Sequence, residues 1–147
     1  MTNLTTKATR GLRYGYYFGS RIMAALVAIL LVQGFIITFS RVEGSSMLPT
    51  LAPGQLIVIN RLQTTFTSPK VGDIVVIQLG TTNPVRMVKR ISAVAGTTIH
   101  LPTGETAVLQ EDQFYVLGDN SSQSIDSRSY GPIPASAIVG TVTTWLQ

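Results

Sequence analysis

Two kinds of side chain in this 147-residue chain could together break an amide bond: a serine of VEGSSMLPTL (42–51) and the lysine of VRMVKRISA, Lys89. A serine hydroxyl is a weak nucleophile and needs a base beside it. Cysteine is absent, which removes disulfides, thiolate catalysis and cysteine-based zinc sites. The single histidine, His100 in TTIHL, reads most simply as a half-exposed strand residue. A Ser–Lys dyad is therefore the arrangement this composition best permits, with Ser45 and Ser46 both open as the serine.

A lysine serves as a base only when it is uncharged at neutral pH. In an extended segment alternate residues share a face. Val85, Met87, Lys89, Ile91 and Ala93 fall on one face, and Arg86, Val88, Arg90, Ser92 and Val94 on the other. Lys89 is thus the one polar group on an otherwise apolar face. Such a lysine snorkels to solvent, pairs with an acid, or loses its proton. Lowering its pKa from ~10.4 towards ~7–8 needs roughly 4 kcal/mol of differential solvation.

The element that carries Lys89 is one of a series of short β-branched runs. They are LIVIN (56–60), DIVVIQL (73–79), PVRMVKRISAVA (84–95), TTIHL (97–101), TAVL (106–109), QFYVL (113–117) and IVGTVTTW (138–145). Turn formers at 53–54, 68–73, 102–105 and 118–122 separate them. The pattern predicts a mainly β domain: a compact, antiparallel, barrel-like or coiled β fold.

Ahead of it, Ile22 to Phe39 (IMAALVAILLVQGFIITF) carries no charge. Eighteen helical residues span roughly 27 Å, near the thickness of a bilayer core. The run is longer than a signal-peptide core and ends in FSRVEG, so the expectation is one retained transmembrane helix over 22–39. Lys7, Arg10, Arg13 and Arg21 precede it, while the residues from 22 onward hold seven basic and seven acidic side chains. The whole net charge of +4 therefore sits in the first 21 residues. This asymmetry predicts a cytoplasmic segment 1–21 and an extracytoplasmic domain 40–147, rather than a nucleic-acid partner. Tyr14, Tyr16, Tyr17 and Phe18 stand where an interfacial aromatic belt would lie.

Four blocks in order behind this run resemble the type I signal peptidases, membrane-anchored Ser–Lys proteases that remove signal peptides from exported preproteins. The blocks are VEGSSMLPTL, GQLIVINRL, VGDIVVIQ followed by VRMVKRISAVAG, and LGDNSSQSIDSRSYG. The likeness covers the apolar run and nearly all of 41–145, and the chain is similar to the compact bacterial members. It implies Ser46, rather than Ser45, as nucleophile, Lys89 as general base and Ser124 as the hydroxyl that orients the lysine. It also implies Gly118, Asp119 and Asn120 as the turn closing the site, and Asp126 with Arg128 as a structural charged pair. The Ser46 N–H is the natural first oxyanion donor. Some relatives supply a second from a hydroxyl two residues before the nucleophile, where this chain has Gly44. Val42, Met47, Leu51, Val76, Met87 and Val88 would line apolar pockets for alanine-sized groups at positions −1 and −3 of a preprotein, though plain core packing explains each of them equally well. The partners implied are exported preproteins and the lipid bilayer; no cofactor or metal is implied.

Departures from the family pattern bear on substrate range. Ala93–Thr97 replaces a Gly-x-Pro-Gly-Asp turn, Gln55 stands where Asp is common and Ser121 where Arg is common. A non-catalytic, membrane-anchored relative acting as an assembly chaperone for surface or pilus proteins is the alternative. Loss of the serine or lysine would favour it, and both are present.

Overall fold

The computed structural model describes residues 17–30 and 36–146, and these divide into two units, one within 1–35 and one comprising 36–147. The first contains helix α1 (17–30), whose apolar side chains Phe18, Met23 and Leu30 are all exposed. Among the described residues no helix is long and apolar enough to cross a membrane. The segment 1–16, with most of the basic cluster and Tyr14 and Tyr16, and the middle of the apolar run, 31–35, lie outside the described residues.

The expected helix over 22–39 needs correction at its end. Residues 37–39 belong to a strand, β1 (Ile37–Arg41), which pairs antiparallel with β2 (Leu56–Asn60) in the register Thr38↔Ile59 and Phe39↔Val58. ITF is β-branched and aromatic, and once a partner strand is available those residues favour the pleated ladder over a helix. Hydropathy does not separate an apolar helix from an apolar strand that continues it.

The second unit follows the sequence pattern closely. After β2 come a short helix α2 (Gln63–Phe66), β3 (Ile74–Leu79), β4 (Val85–Ala93), β5 (Thr98–His100), β6 (Thr106–Val108) and β7 (Gln113–Leu117). A further short helix α3 (Ser127–Tyr130), β8 (Ile133–Pro134) and β9 (Ile138–Leu146) complete it. Seven strands form one antiparallel sheet in the order β1-β2-β9-β3-β4-β7-β8, and β5 and β6 make a separate hairpin. The expectation of an antiparallel β domain holds, but the described sheet does not close into a barrel. β1 and β8 remain as edges, and β8 has only two residues, the second being Pro134, which cannot donate to a further ladder.

Two clusters of buried side chains fill the two sides of this sheet. One gathers Val42, Met47, Leu51, Ile57, Ile59 and Val76, and the other Val75, Ile77, Ile91, Phe114, Val116 and Ile133. Successive β3 residues Val75 and Val76 enter different clusters, as a strand buried on both faces requires. β4 therefore runs between β3 and β7 with both of its faces covered near Lys89, which pairs with Val75, while Arg90 pairs with Leu117.

Candidate active site

Three segments converge on Lys89: its own strand, the loop 42–51 and the turn 118–126. The loop is held by its apolar side chains. Met47 is 1 % exposed and Leu51 is fully buried, and the Leu51 N–H donates to the Met47 carbonyl at 2.9 Å. Val42 closes its start by exchanging hydrogen bonds with Gln55 and Gly54, at 2.9 and 2.8 Å. Burying Val42 and Met47 on either side holds the intervening Ser45 and Ser46, both half-buried, in a fixed turn. Gly44 sits at the exposed bend before them, with φ +79°, a conformation that favours glycine.

The turn is built round Asp126, which is 0 % exposed. Its carboxylate caps α3 by accepting from the Arg128 N–H at 3.2 Å, and it accepts from the Gly118 N–H at 3.0 Å. Arg128 completes a bidentate pair through Nε at 2.8 Å and Nη2 at 2.7 Å. Burial works to raise the Asp126 pKa, but the bonds from Arg128, Gly118 and Ser124 outweigh it and hold the carboxyl well below its ordinary range. The pair read as structural from sequence is thus also in contact with Ser124.

Lys89 is 2 % exposed, and its Nζ donates to Ser124 Oγ at 3.0 Å. Burial is the largest influence on this amine and lowers its pKa, with Asp126 opposing the shift and Arg128 reinforcing it. No carboxylate lies within ion-pairing distance of Lys89 among the described residues. Ser124 stands between: its oxygen accepts from Lys89, and its hydroxyl helps to keep Asp126 ionised. The amine is therefore aimed by a hydroxyl rather than neutralised by an anion.

Gly118 brings the serine loop to this group. A Cβ at position 118 would lie 2.2 Å from Ser124 Oγ and 2.6 Å from the Ser46 carbonyl oxygen, distances no real side chain tolerates. The Asn120 N–H then donates to that same Ser46 carbonyl at 2.9 Å, and Asn120 Nδ2 donates to the Ser45 carbonyl at 3.1 Å. Ser45 itself donates to Gln123 Oε1. Both serines are thus tied to the turn, but in different ways: the Ser45 hydroxyl is committed to Gln123, while Ser46 lines an open groove.

That groove, of about 360 Å³, lies between β1 and the start of β4. Val42, Met47, Val76, Met87 and Val88 line it beside Ser46, whereas Leu51 lies outside the lining, packed in the core. His100, in β5, is exposed, and its carbonyl accepts from the Tyr115 hydroxyl at 3.3 Å. Sequence reasoning passed over Thr50, Arg90 and Gln123. Arg90 holds Asp119 through Nε at 2.8 Å and Nη2 at 2.6 Å, and Thr50 donates to the same carboxylate at 2.5 Å. The available signal was the alternation itself, which put Arg90 opposite Lys89 on the polar face.

Comparison with known proteins then decides the family. The family model described as signal peptidase, peptidase S26, matches residues 16–108 and 101–146. The chain belongs to the S26 signal peptidase family. It is 29 % identical over 174 residues to signal peptidase I T of Bacillus subtilis, covering 95 % of this chain and 90 % of that one. Similarity to the probable signal peptidase I-1 of Synechocystis is 29 % over 148 residues, covering 81 % and 76 %. The mitochondrial ATP-independent inner membrane protease subunit 1a of Arabidopsis thaliana is 33 % identical over 144 residues, covering 91 % and 85 %. In this S26 signal peptidase chain, the family match takes in all three segments that converge on Lys89.

Proposed function

We propose that this chain is a signal peptidase I that cleaves signal peptides from exported preproteins, with Ser46 as nucleophile and Lys89 as general base. The observation that carries the reading is the buried Lys89 amine, held by Ser124 Oγ at 3.0 Å and lowered in pKa by its burial. An uncharged amine that donates one N–H to Ser124 keeps its lone pair for another partner, and Ser46 is the hydroxyl on the adjoining loop.

The steps follow from these positions. Lys89 takes the Ser46 proton as Oγ attacks the scissile carbonyl carbon, and the carbonyl π pair moves onto oxygen. Backbone donors, the Ser46 N–H first, stabilise that oxyanion. Its collapse expels the amine, which takes the proton from Lys89 and leaves an acyl-serine. Lys89 then removes a proton from water, hydroxide adds to the acyl carbon, and the proton returns to Ser46 as the ester breaks. Gly44 brings no hydroxyl, so a backbone N–H serves as second donor.

Substrate lies extended in the groove, its main chain paired with strand edges and its side chains directed alternately into the walls. Val42, Met47, Val76, Met87 and Val88 leave room for small groups at −1 and −3. The apolar run beginning at Ile22 tethers the peptidase to a bilayer, and the exposed apolar side chains of α1 suit a lipid environment. The basic segment before it is cytoplasmic and the β unit faces outward.

The test is incubation of the purified membrane protein with a preprotein bearing Ala at −1 and −3, followed by mapping of the cut. Cleavage is expected after the −1 alanine, and Ser46→Ala and Lys89→Met are each expected to abolish it without altering the thermal melt. Only the neutral amine is a base, so turnover should be present above the depressed Lys89 pKa and fall as pH drops through it. Near-normal turnover by either variant would remove the dyad.

A further inference from the structure

We infer that the far end of the groove reads an acidic side chain of the substrate about four to six residues before the cut, through Arg61 and Arg86. This rests on the peptidase reading above and adds a charge requirement to it. The lining of the groove is apolar beside Ser46 but carries three arginines, Arg41, Arg61 and Arg86, and one carboxylate, Glu43.

None of the three guanidinium groups meets a carboxylate within 4.0 Å among the described residues, which include every aspartate and glutamate of the chain. Their existing bonds are neutral. Arg41 Nη1 donates to the Gly54 carbonyl at 3.2 Å, and Arg86 Nε donates to Gln78 Oε1 at 2.9 Å, which leaves its terminal nitrogens free. Two other arginines of the same β unit are matched: Arg90 by Asp119 and Arg128 by Asp126. A cluster of unmatched arginines on the wall of a cleft is a standing positive potential aimed at whatever enters it.

Their placement sets which residue they meet. Arg86 precedes Lys89 by three residues on β4, about 10 Å along the strand. Arg61 follows β2, and its N–H donates to the Ile36 carbonyl at 2.9 Å, which puts it at the start of β1. Val42, beside the serine loop, stands at the opposite end of that strand. The walls assigned to the −1 and −3 side chains, Val42, Met87 and Val88, therefore lie between Ser46 and the pair Arg61 and Arg86, whereas Arg41 adjoins Val42 at the Ser46 end. An extended peptide advances about 3.3 Å per residue, so residues beyond −3 reach Arg86 and then Arg61. Arg41 and Glu43 both line the Ser46 end and offset each other in charge, so the net positive charge of the groove sits at the far end.

The experiment uses the full-length protein in a zwitterionic detergent with three peptides, identical in their Ala −3 and −1 residues and differing only in Asp, Ala or Lys at −5. Wild type is expected to favour Asp over Lys by about tenfold in kcat/KM, with Ala between, and the ratio should shrink in ~1 M salt. Arg86→Glu, and separately Arg61→Glu, should invert the order. Equal cleavage of all three peptides by wild type would overturn the inference while leaving the peptidase reading intact, since all would still be cut at alanine. An equal fall for all peptides in both variants would also overturn it. So would a preference seen only when vesicles of anionic lipid are added, because the arginines would then answer headgroup phosphates. If no peptide is cut at all, the peptidase reading itself fails.

Discussion

Lys89 and Arg90 are neighbours on one strand, point to opposite sides of it, and meet opposite electrostatic fates. Arg90 reaches a carboxylate directly: Asp119 takes both its Nε and its Nη2. That hydrogen bond raises the Arg90 pKa and holds Asp119 below its usual range, so both charges are kept. Lys89 also has a carboxylate nearby, Asp126, but Ser124 stands between them, and Arg128 has already claimed the anion. Burial then dominates, and the amine moves towards neutrality. The lesson is that a single interposed hydroxyl, with a competing arginine behind it, separates a structural cation from a base.

The most damaging way to break this contrast is through the glycine beneath it. Gly118→Ala inserts a methyl at 2.2 Å from Ser124 Oγ and 2.6 Å from the Ser46 carbonyl, so the hydroxyl, the loop or both must move. Displacements on the order of 1 Å in a positioned site cost about 100-fold in rate. Signal-peptide cleavage by Gly118→Ala should fall at least that far, and Arg90 should keep its pairing with Asp119 on the other face. A chain that still melts cooperatively would tie the loss to the site. Cleavage within a factor of two of wild type would show that the close approach at Gly118 does not matter to the chemistry.

Removing the hydroxyl itself is a milder cut. Ser124→Ala deletes the acceptor that aims Lys89 and one support of Asp126, but Asp126 retains the Gly118 N–H and the three Arg128 contacts through N, Nε and Nη2. Loss of one hydrogen bond to a buried polar group is worth about 1–2 kcal/mol, or about tenfold in rate or somewhat more. A fall in kcat with little change in KM is expected, since the groove is untouched. Rates unchanged within twofold would dismiss Ser124 as a positioning residue.

Much of this arrangement was legible in the sequence because it rests on alternation. The face shared by Lys89, Ile91 and Ala93 follows from period two, and the structure buries all three. β2, β3, β7 and β9 fall where β-branched runs predict them. Period says nothing about what lies across a sheet, so the Thr50–Asp119–Arg90 link, joining residues far apart in the chain, was hidden. So was Gln123, which reads as one polar residue among many in SSQS until its carbonyl is found against Ser45. β1 was missed for a different reason: its residues continue an apolar run, and composition alone cannot tell where the helix gives way to a strand. β8 is too short, at two residues, to have any period.

The smallest expected effect is on the charged side of the comparison, and it sharpens what that side is for. Arg90→Lys keeps the positive charge but gives up the planar fork that holds both Asp119 oxygens, and with it the contact from Nη1 to the Gly72 carbonyl at 2.8 Å. The Arg90 side chain is 34 % exposed, so solvent screens part of the pair, and a loss of about 1 kcal/mol is expected, a few degrees in Tm. Asp119 also carries the Thr50 hydroxyl, which ties the turn to the far end of the serine loop. Activity should therefore decline modestly with the weakened tie, while the acid limb of the pH profile stays where the buried Lys89 sets it. A variant whose limb moves by a full pH unit would mean that the two faces of β4 are electrostatically coupled, and that the charge on Arg90 helps to keep Lys89 neutral.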